Sequence, residues 1–223
     1  MKKHITLLAL FAFTTLSVLI VFASYPDSHA PVKKKHKYEL PSYEEDIQDG
    51  DLIFQISQSA QCVAVQAATK SSYSHCGIIF KEDGKWMVLE AVQPVRFVSL
   101  SKWIESGKES HYVVKRLKES ATVLTDQMLA KMKDEGKSHL GKNYDLTFEW
   151  NDKKMYCSEL IWKIYKRTTG IEIGRLEKLA DFDLTNSIVK PIVAQRYGNE
   201  IPYDETVISP ISIMKSEALI TVN

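Results

Sequence analysis

The antiparallel part of the fold is encoded in residues 74–92, SHCGIIFKEDGKWMVLEAV. Asp83 and Gly84 lie between two apolar runs, and an Asp-Gly pair in that place is a strong signal for a tight hairpin turn. We therefore predict a strand over 74–80 and a return strand over 86–92, paired antiparallel.

Two polar side chains interrupt this otherwise apolar hairpin. If the turn is centred on its Asp-Gly pair, His75 pairs near Val92 and Glu90 pairs near Gly77. These positions are two residues apart, so the imidazole and the carboxylate can project from one face of the sheet. A carboxylate that ends an apolar strand is unusual unless it is paired. His75 and Glu90 are therefore candidates for a base and the group that orients it, and a plain salt bridge is the alternative.

The flanking sequence adds strands and helices that are partly segregated along the chain. Apolar runs predict strands over 52–56 and 112–117, and helical spacing predicts helices over 57–69, around Trp103, over 123–140 and over 156–169. Gly141 and Gly170 are placed to end the last two helices. Beyond residue 170 we predict short helical pieces that alternate with prolines. This order favours one α+β domain with an antiparallel sheet.

The composition is that of an ordinary globular protein. The chain has 223 residues, of which 44% are hydrophobic and 26% charged, and this argues against disorder or a collagen-like repeat. Lys and Arg number 29 against 28 Asp and Glu, so the net charge of +1 gives no electrostatic case for a nucleic-acid partner. Three cysteines are too few for a disulfide scaffold.

The first 45 residues are predicted to lie outside the folded domain, which spans 46–223. A basic start precedes an uncharged apolar stretch, which is typical of an export signal over residues 1–23. The stretch nearly spans a hydrocarbon core, so an uncleaved N-terminal anchor is the alternative. Residues 24–45 are predicted to be a basic, proline-containing linker. Its run at 33–37 could contact an anionic membrane or wall polymer, or simply be solvated.

Cys157 is the candidate nucleophile. It lies at the predicted start of a helix, where the helix dipole and free N–H groups lower a thiol pKa and favour the nucleophilic thiolate. The alternative is a small buried hydrophobe. His75 could take the thiol proton and return it to a leaving group, with Glu90 as its orienting group. Tyr144 could donate to an oxyanion together with the backbone N–H of Cys157.

Other signatures of chemistry are weaker. Residues 136–143, GKSHLGKN, are similar to a phosphate-binding loop, but they lack its final Ser or Thr and end a helix. The six histidines contain no HExxH pattern, so we predict no metal site and no cofactor. His111 and His139 are expected at the surface. Cys62 and Cys76 are expected to be buried thiols, with a disulfide as the alternative in an oxidising compartment.

An ordered set of short motifs resembles a known family. The motifs are GDLIF at 50–54, YSHCG at 73–77, LEA at 89–91, GKNYD at 141–145 and YCSE at 156–159. They are similar to those of the YiiX/YebB-like cysteine hydrolases, which are circularly permuted relatives of the NlpC-type, papain-like cell-wall peptidases. The resemblance extends from about Gly50 to the segment 201–210.

The resemblance implies a circularly permuted papain-like (NlpC-like) fold, in which a small antiparallel sheet packs against helices that include the nucleophile helix. It implies Cys157 as nucleophile, His75 as base, Glu90 as orienting residue and Tyr144 near the oxyanion. The order His, acid, Cys along the chain differs from that of unpermuted relatives, and the permutation accounts for it. Cys76 is the one difference that we note, and we do not expect it to affect the chemistry.

These observations predict an exported cysteine hydrolase of the periplasm or cell envelope. It would cleave an amide bond in peptidoglycan-derived peptides through an acyl-enzyme. An acyltransferase or a thioester or lipid hydrolase with the same triad is one alternative, and a non-catalytic envelope-binding module is another. The expected partners are a small peptide, a peptidoglycan fragment or an acyl compound, with membrane contact through the N-terminal segment or the run at 33–37.

Overall fold

The computed structural model describes residues 46–222. The predicted export signal and basic linker lie outside these described residues, and both stay predictions. Within 46–222, every helix is too short or too polar to cross a membrane.

Strands and helices are mixed along the described chain. The strands are β1 (Leu52–Gln55), β2 (His75–Glu82), β3 (Lys85–Glu90), β4 (Arg96–Ser99), β5 (Tyr112–Leu117), β6 (Glu177–Lys178), β7 (Thr206–Val207) and β8 (Leu219–Val222). The α-helices are α1 (Ala60–Thr69), α2 (Leu100–Ser106), α3 (Ser120–Val123), α4 (Asp126–Ser138), α5 (Cys157–Thr169), α6 (Val189–Tyr197) and α7 (Pro210–Met214).

Six strands form one sheet in the order β4-β3-β2-β1-β5-β8, and each neighbouring pair is antiparallel. The short strands β6 and β7 form a separate two-stranded ribbon. In the β2–β3 hairpin, Ile78 pairs with Leu89, so one further step places Gly77 opposite Glu90. The predicted hairpin and its register are confirmed, as is the mixed fold with an antiparallel sheet.

Gly77 allows the two strands of the hairpin to approach closely. A Cβ atom at this position would lie 2.8 Å from the carbonyl oxygen of Leu89 and would also meet the side chain of Val88. Because the Leu89 carbonyl belongs to the backbone of β3 and cannot rotate away as a side chain can, a side chain at residue 77 would push β2 away from β3. The glycine therefore keeps the two ends of the hairpin, and the polar groups on them, in register.

The sheet has two apolar faces, each packed against helices. Leu52, Phe54 and Ile78 face a core that contains α5, whereas Ile53 and Ile79 face a second core that contains α2. This alternation is the two-residue period of a strand. Helix α5 packs on β2 and on α4, so its N-terminus lies beside the start of β2. The fold thus brings together two segments that are far apart in the sequence.

The helix predicted over 123–140 is confirmed over 126–138, as α4, but its predicted bounds are wrong. Val123 ends the separate helix α3, and Thr125 has extended backbone with its hydroxyl accepting a hydrogen bond from the N–H of Met128, which starts α4. A threonine in that role is a helix N-cap. Helix α4 ends at Ser138 with His139 as its C-cap, so Gly141 does not hold the position predicted for it.

Two strands of the main sheet were not predicted. Strand β4 has four residues, RFVS, and β8 has four residues, LITV, in the tail for which we predicted helical pieces and prolines. Both are edge strands, one on β3 and the other on β5. Four residues carry too little periodicity to be recognised alone, and the partner strand decides their conformation.

Candidate active site

Helix α5 begins at Cys157, as predicted, and ends before Gly170, which has a left-handed backbone. Tyr156 is the extended residue before the helix, and its N–H donates to Glu159 Oε2 at 3.4 Å. The Cys157 thiol therefore lies at the positive end of the helix dipole, where backbone N–H groups lack helical partners. The residue is 4% exposed.

Side chains at the start of α5 are tied to the segment that follows β7. The hydroxyl of Ser158 donates to the carbonyl oxygen of Ile208 at 2.7 Å. In return, the N–H of Ile208 donates to the hydroxyl of Tyr156 at 3.1 Å. These two hydrogen bonds surround Cys157 in sequence, so they fix the helix start on which the thiol is carried.

The hairpin brings His75 and Glu90 together, as the register predicted. The imidazole Nε2 of His75 donates to Glu90 Oε2 at 2.7 Å, and both side chains are buried. Glu90 Oε1 accepts a second hydrogen bond from Arg96 Nε at 3.0 Å, across the β3–β4 pair. With Nε2 occupied by Glu90, the other ring nitrogen, Nδ1, is left for Cys157.

Trp103 of α2 supports the His75 ring. The two rings stack, with centroids 5.7 Å apart and planes inclined by 25°. Trp103 is 1% exposed and belongs to the core on that side of the sheet. The imidazole is thus held both by a hydrogen bond at one edge and by an aromatic ring on one face, which restricts its rotation.

The charges of Cys157, His75 and Glu90 stabilise one another. Burial lowers the pKa of His75, but hydrogen bonds with Cys157 and Glu90 outweigh it and raise the pKa to about 10. Burial raises the pKa of Glu90, but His75 and Arg96 outweigh it and the net shift is downward. The arrangement favours an imidazolium between two anions.

The pKa of Cys157 is held well below its ordinary value. A hydrogen bond with the thiol of Cys76 is the largest cause, burial opposes it, and the hydrogen bond and charge of His75 lower it further. A thiolate paired with an imidazolium is the nucleophilic form of cysteine. Cys157 and His75 are therefore placed to act as an ion pair.

Cys76 interacts with Cys157, which was not predicted from the sequence. It follows His75 on β2, so its side chain projects from the opposite face of the sheet, towards the core that contains α5. Burial, followed by the interaction with Cys157, raises the pKa of Cys76, so this thiol keeps its proton. A protonated thiol beside a thiolate is a hydrogen-bond donor to it. His75 and Cys76 therefore both lower the pKa of Cys157.

Tyr144 lies beside the start of α5 because its segment pairs with the residue before the helix cap. The N–H of Met155 donates to Asn143 at 3.0 Å, and the N–H of Asp145 donates to Met155 at 3.1 Å. Burial and then the charge of Cys157 raise the pKa of Tyr144 well above its ordinary value, so the phenol stays protonated. A protonated phenol near the thiolate can donate to an oxyanion.

The remaining histidines and cysteines have mixed outcomes. His111 is exposed and its Nε2 lies 3.1 Å from the hydroxyl of Tyr73. The prediction that His139 is a surface residue is wrong: it is 1% exposed, because it caps α4 beneath Glu135, whose Oε1 lies 3.2 Å from its Nε2. Cys62 and Cys76 are both buried and free, as expected.

A cavity adjoins Cys157 between α1, α6 and the segment 207–210. Its empty space, including the part open to solvent, is about 760 Å³. Cys157 and Tyr144 are among the residues that line it, and most of the other lining side chains are apolar. Cys157 therefore faces a space that a substrate could occupy.

Comparison with known proteins identifies the family. Residues 46–223 match the family described as "Permuted papain-like amidase enzyme, YaeF/YiiX, C92 family". The chain belongs to this family. It is therefore an enzyme of the cysteine-hydrolase class, and the non-catalytic envelope-binding module is not supported.

Two related proteins support the assignment to the permuted papain-like amidases. The chain is 41% identical over 183 residues to the uncharacterized protein YiiX of Escherichia coli K12, covering 82% of this chain and 89% of the relative. It is 42% identical, with a TM-score of 0.75, to a crystal structure described as metalloprotein yiiX from Escherichia coli O157:H7, DUF1105. That similarity covers 79% of this chain and 96% of the other.

Three contacts of Cys157, His75 and Glu90 were not predicted from the sequence. Arg96 lies on the unpredicted strand β4, and Trp103 lies on a helix whose packing the sequence does not reveal. Cys76 was noted but judged irrelevant. An available signal was the two-residue period of β2, because it places Cys76 on the same face as Ile78 and Phe80, in the core to which Cys157 also belongs.

Proposed function

We propose that this amidase cleaves its substrate with Cys157 as nucleophile, His75 as general base and acid, and Glu90 as a positioning residue. One observation carries the proposal: the three side chains are buried in one hydrogen-bonded array, at the start of a helix and beside a cavity. Burying charged groups costs free energy unless they are paired, and paired groups with shifted pKa values beside a cavity are typical of functional sites.

The reaction follows from the array. The Cys157 thiolate attacks the carbonyl carbon of the scissile amide, and the negative charge moves to the carbonyl oxygen. The backbone N–H of Cys157 and the hydroxyl of Tyr144 donate to that oxygen. His75 gives its Nδ1 proton to the leaving nitrogen as the C–N bond breaks, which leaves an acyl-enzyme.

A water molecule completes the cycle. Neutral His75 takes a proton from the water, and the resulting hydroxide attacks the thioester carbonyl. The C–S bond breaks, the acid product leaves, and the thiolate–imidazolium pair is restored. Throughout, Glu90 holds Nε2–H and stabilises the positive charge of the ring, as the acid does in a Ser-His-Asp triad.

The residues proposed to break the bond do not by themselves define the substrate. Peptidoglycan-derived peptides, suggested by the resemblance, stay one candidate, together with action outside the cytoplasm. The apolar lining of the cavity favours the second candidate, a compound with an acyl chain. Both substrates present a carbonyl carbon that the same thiolate can attack.

A metal has no part in this proposal. The related crystal structure is described as a metalloprotein. Within residues 46–222 of this chain, His, Cys, Asp and Glu side chains do not form a group of three arranged to hold an ion. The donor set therefore does not fit a resident metal, and we derive no step through one.

The proposal is tested with a substrate panel and mass spectrometry. Wild-type protein, Cys157→Ala and the thiol control Cys62→Ala are incubated with muropeptides, N-acyl amino acids and acyl esters. We expect products, and an acyl adduct on Cys157, with the wild type and Cys62→Ala only. Equal product formation by folded Cys157→Ala would refute the assignment of the nucleophile.

A further inference from the structure

The cavity beside Cys157 is apolar because its polar side chains are already engaged inside the protein. The hydroxyl of Tyr197 donates to the carbonyl oxygen of Thr147 at 2.7 Å, and that of Thr69 donates to Val65 at 2.8 Å. The hydroxyl of Ser209 donates to the carboxylate of Glu177 at 2.8 Å. The lining thus offers few free donors and acceptors.

This lining disfavours a peptide as occupant. A peptide carries an N–H and a carbonyl at every residue, and burying such groups without partners costs free energy. An aliphatic chain has no such groups, and its burial is favourable in proportion to its area. Val65 of α1 and Ile192 of α6 line the cavity, and so does Leu184.

Arg196 is the one basic residue that lines the cavity within the described chain. It is half-buried on α6, and its guanidinium donates to Gln61 Oε1 across the cavity and lies 5.9 Å from the centre of the Phe148 ring. Among residues 46–222 it forms no ion pair with a carboxylate. Asp145 acts on it only at longer range.

A half-buried guanidinium without a carboxylate partner matches an anionic group on the substrate. Arg196, Tyr144 and Cys157 all line this cavity. An anionic group bound to Arg196 would therefore lie in the same cavity as the carbonyl that Cys157 attacks.

We propose that the cavity binds the aliphatic chain of an N-acyl amino acid whose carboxylate pairs with Arg196. This inference rests on the proposed function, because the Cys157 thiolate must cleave the amide that joins the chain to the amino acid. Hydrolysis adds one water and releases a fatty acid and a free amino acid.

The substrate class is tested with N-acylglycines of increasing chain length, from acetyl to decanoyl. A buried methylene contributes roughly a fourfold gain, so kcat/KM should rise by at least about 10²-fold over the series. Replacing glycine by glycinamide removes only the charge. We expect this neutral series to be about tenfold poorer in kcat/KM.

Variants test whether the cavity causes the dependence on chain length and whether Arg196 causes the preference for a carboxylate. Val65→Phe fills the cavity, and we expect it to abolish the gain with chain length. Val63→Phe is the matched control, since Val63 is exposed on the same helix and does not line the cavity. Arg196→Met should bring glycine and glycinamide to equal kcat/KM while the chain-length gain persists.

Acylation by a small ester separates this inference from the proposed function. p-Nitrophenyl acetate needs neither the cavity nor Arg196, and its adduct on Cys157 is measured by intact mass. If Cys157 is acylated but chain length and charge make no difference, the inference is overturned and the proposed function stands. If folded wild-type protein is not acylated by any substrate, both are overturned.

Discussion

Two buried carboxylates in this enzyme accept short hydrogen bonds from basic side chains near Cys157. Glu90 Oε2 lies 2.7 Å from His75 Nε2, and Glu159 Oε1 lies 2.6 Å from Lys163 Nζ. Glu90 is 4% exposed and Glu159 is 0% exposed. In distance and burial the two pairs are alike.

The two carboxylates differ in their other partners. Glu90 also accepts from Arg96, and together His75 and Arg96 lower its pKa against the effect of burial. Burial raises the pKa of Glu159 to about 7, although Lys163 opposes this shift. Only the first carboxylate is firmly ionised at neutral pH.

The two basic partners differ in what their remaining atoms contact. Lys163 donates its other hydrogens to the carbonyl oxygen of Asn151 and to Asp152 Oδ1. His75 instead has a second ring nitrogen on the side of Cys157. A short buried ion pair alone therefore does not distinguish the two sites, and the proposed role of His75 rests on its second ring nitrogen, which is free to interact with the Cys157 thiol.

The largest loss of kcat/KM is expected when His75 is removed from the His75–Glu90 pair. His75→Ala removes the group that stabilises the thiolate and protonates the leaving nitrogen, so kcat/KM should fall by about 10³–10⁵. Cys157→Ala should lose as much, and the double variant little more, because the two act as a unit. Single-turnover kinetics with circular dichroism as a folding control measure this. Near-wild-type rates in folded His75→Ala would show that another residue is the base.

Breaking the second pair should affect stability, not chemistry. Lys163→Met removes the cation that opposes the upward shift of the Glu159 pKa, so the buried carboxyl should take up a proton and the loss of the pair should cost about 1–3 kcal/mol in the free energy of unfolding. Urea unfolding measures the loss. The double variant Glu159→Leu with Lys163→Met is the matched control and should recover most of it, because no buried carboxyl remains without its partner.

Kinetics of the folded fraction distinguish the role of the His75–Glu90 pair from that of the Lys163–Glu159 pair. If folded Lys163→Met showed a loss of kcat/KM as large as that of His75→Ala, the contrast between a structural and a catalytic pair would be wrong.

A smaller effect is expected when the first pair loses only its negative charge. Glu90→Gln keeps a hydrogen bond to His75, so kcat/KM should fall by about 10–10³.

The pH profile of Glu90→Gln gives a second readout. Activity should decline above about pH 10, where His75 loses the proton it gives to the leaving group. Glu90 helps to raise that pKa, so the alkaline limb of Glu90→Gln should move to lower pH. An unchanged limb would contradict the positioning role.

The smallest effect is expected at Cys76. Cys76→Ala removes a donor to the Cys157 thiolate, so the pKa of Cys157 should rise and kcat/KM at neutral pH should fall by about 3–10-fold. Cys76→Ser keeps a donor and should stay close to the wild type. The pH dependence of iodoacetamide labelling at Cys157 reports the thiol pKa directly. An identical labelling profile in Cys76→Ala would remove Cys76 from the site.

The sequence predicts those parts of the site that follow from local rules. The Asp-Gly turn and the two-residue period of strands place His75 with Glu90, and the helix start places Cys157. Contacts that depend on packing between distant segments could not be predicted: Arg96 reaches Glu90 only because the unpredicted strand β4 pairs with β3, and Trp103 stacks on His75 only because α2 packs on β3 and β4. Local periodicity does not encode which surface of an element its neighbours cover.

Strand β8 has a consequence for how the chain is made. It comes last in the described chain, yet it pairs with β5 along the register from Val114–Val222 to Leu117–Leu219. Until these residues have left the ribosome, β5 presents an open row of backbone donors and acceptors, and such an edge can pair with another chain. Synthesis that stops before β8 would therefore yield a protein with the Cys157–His75–Glu90 array fully encoded and a sheet edge prone to aggregation.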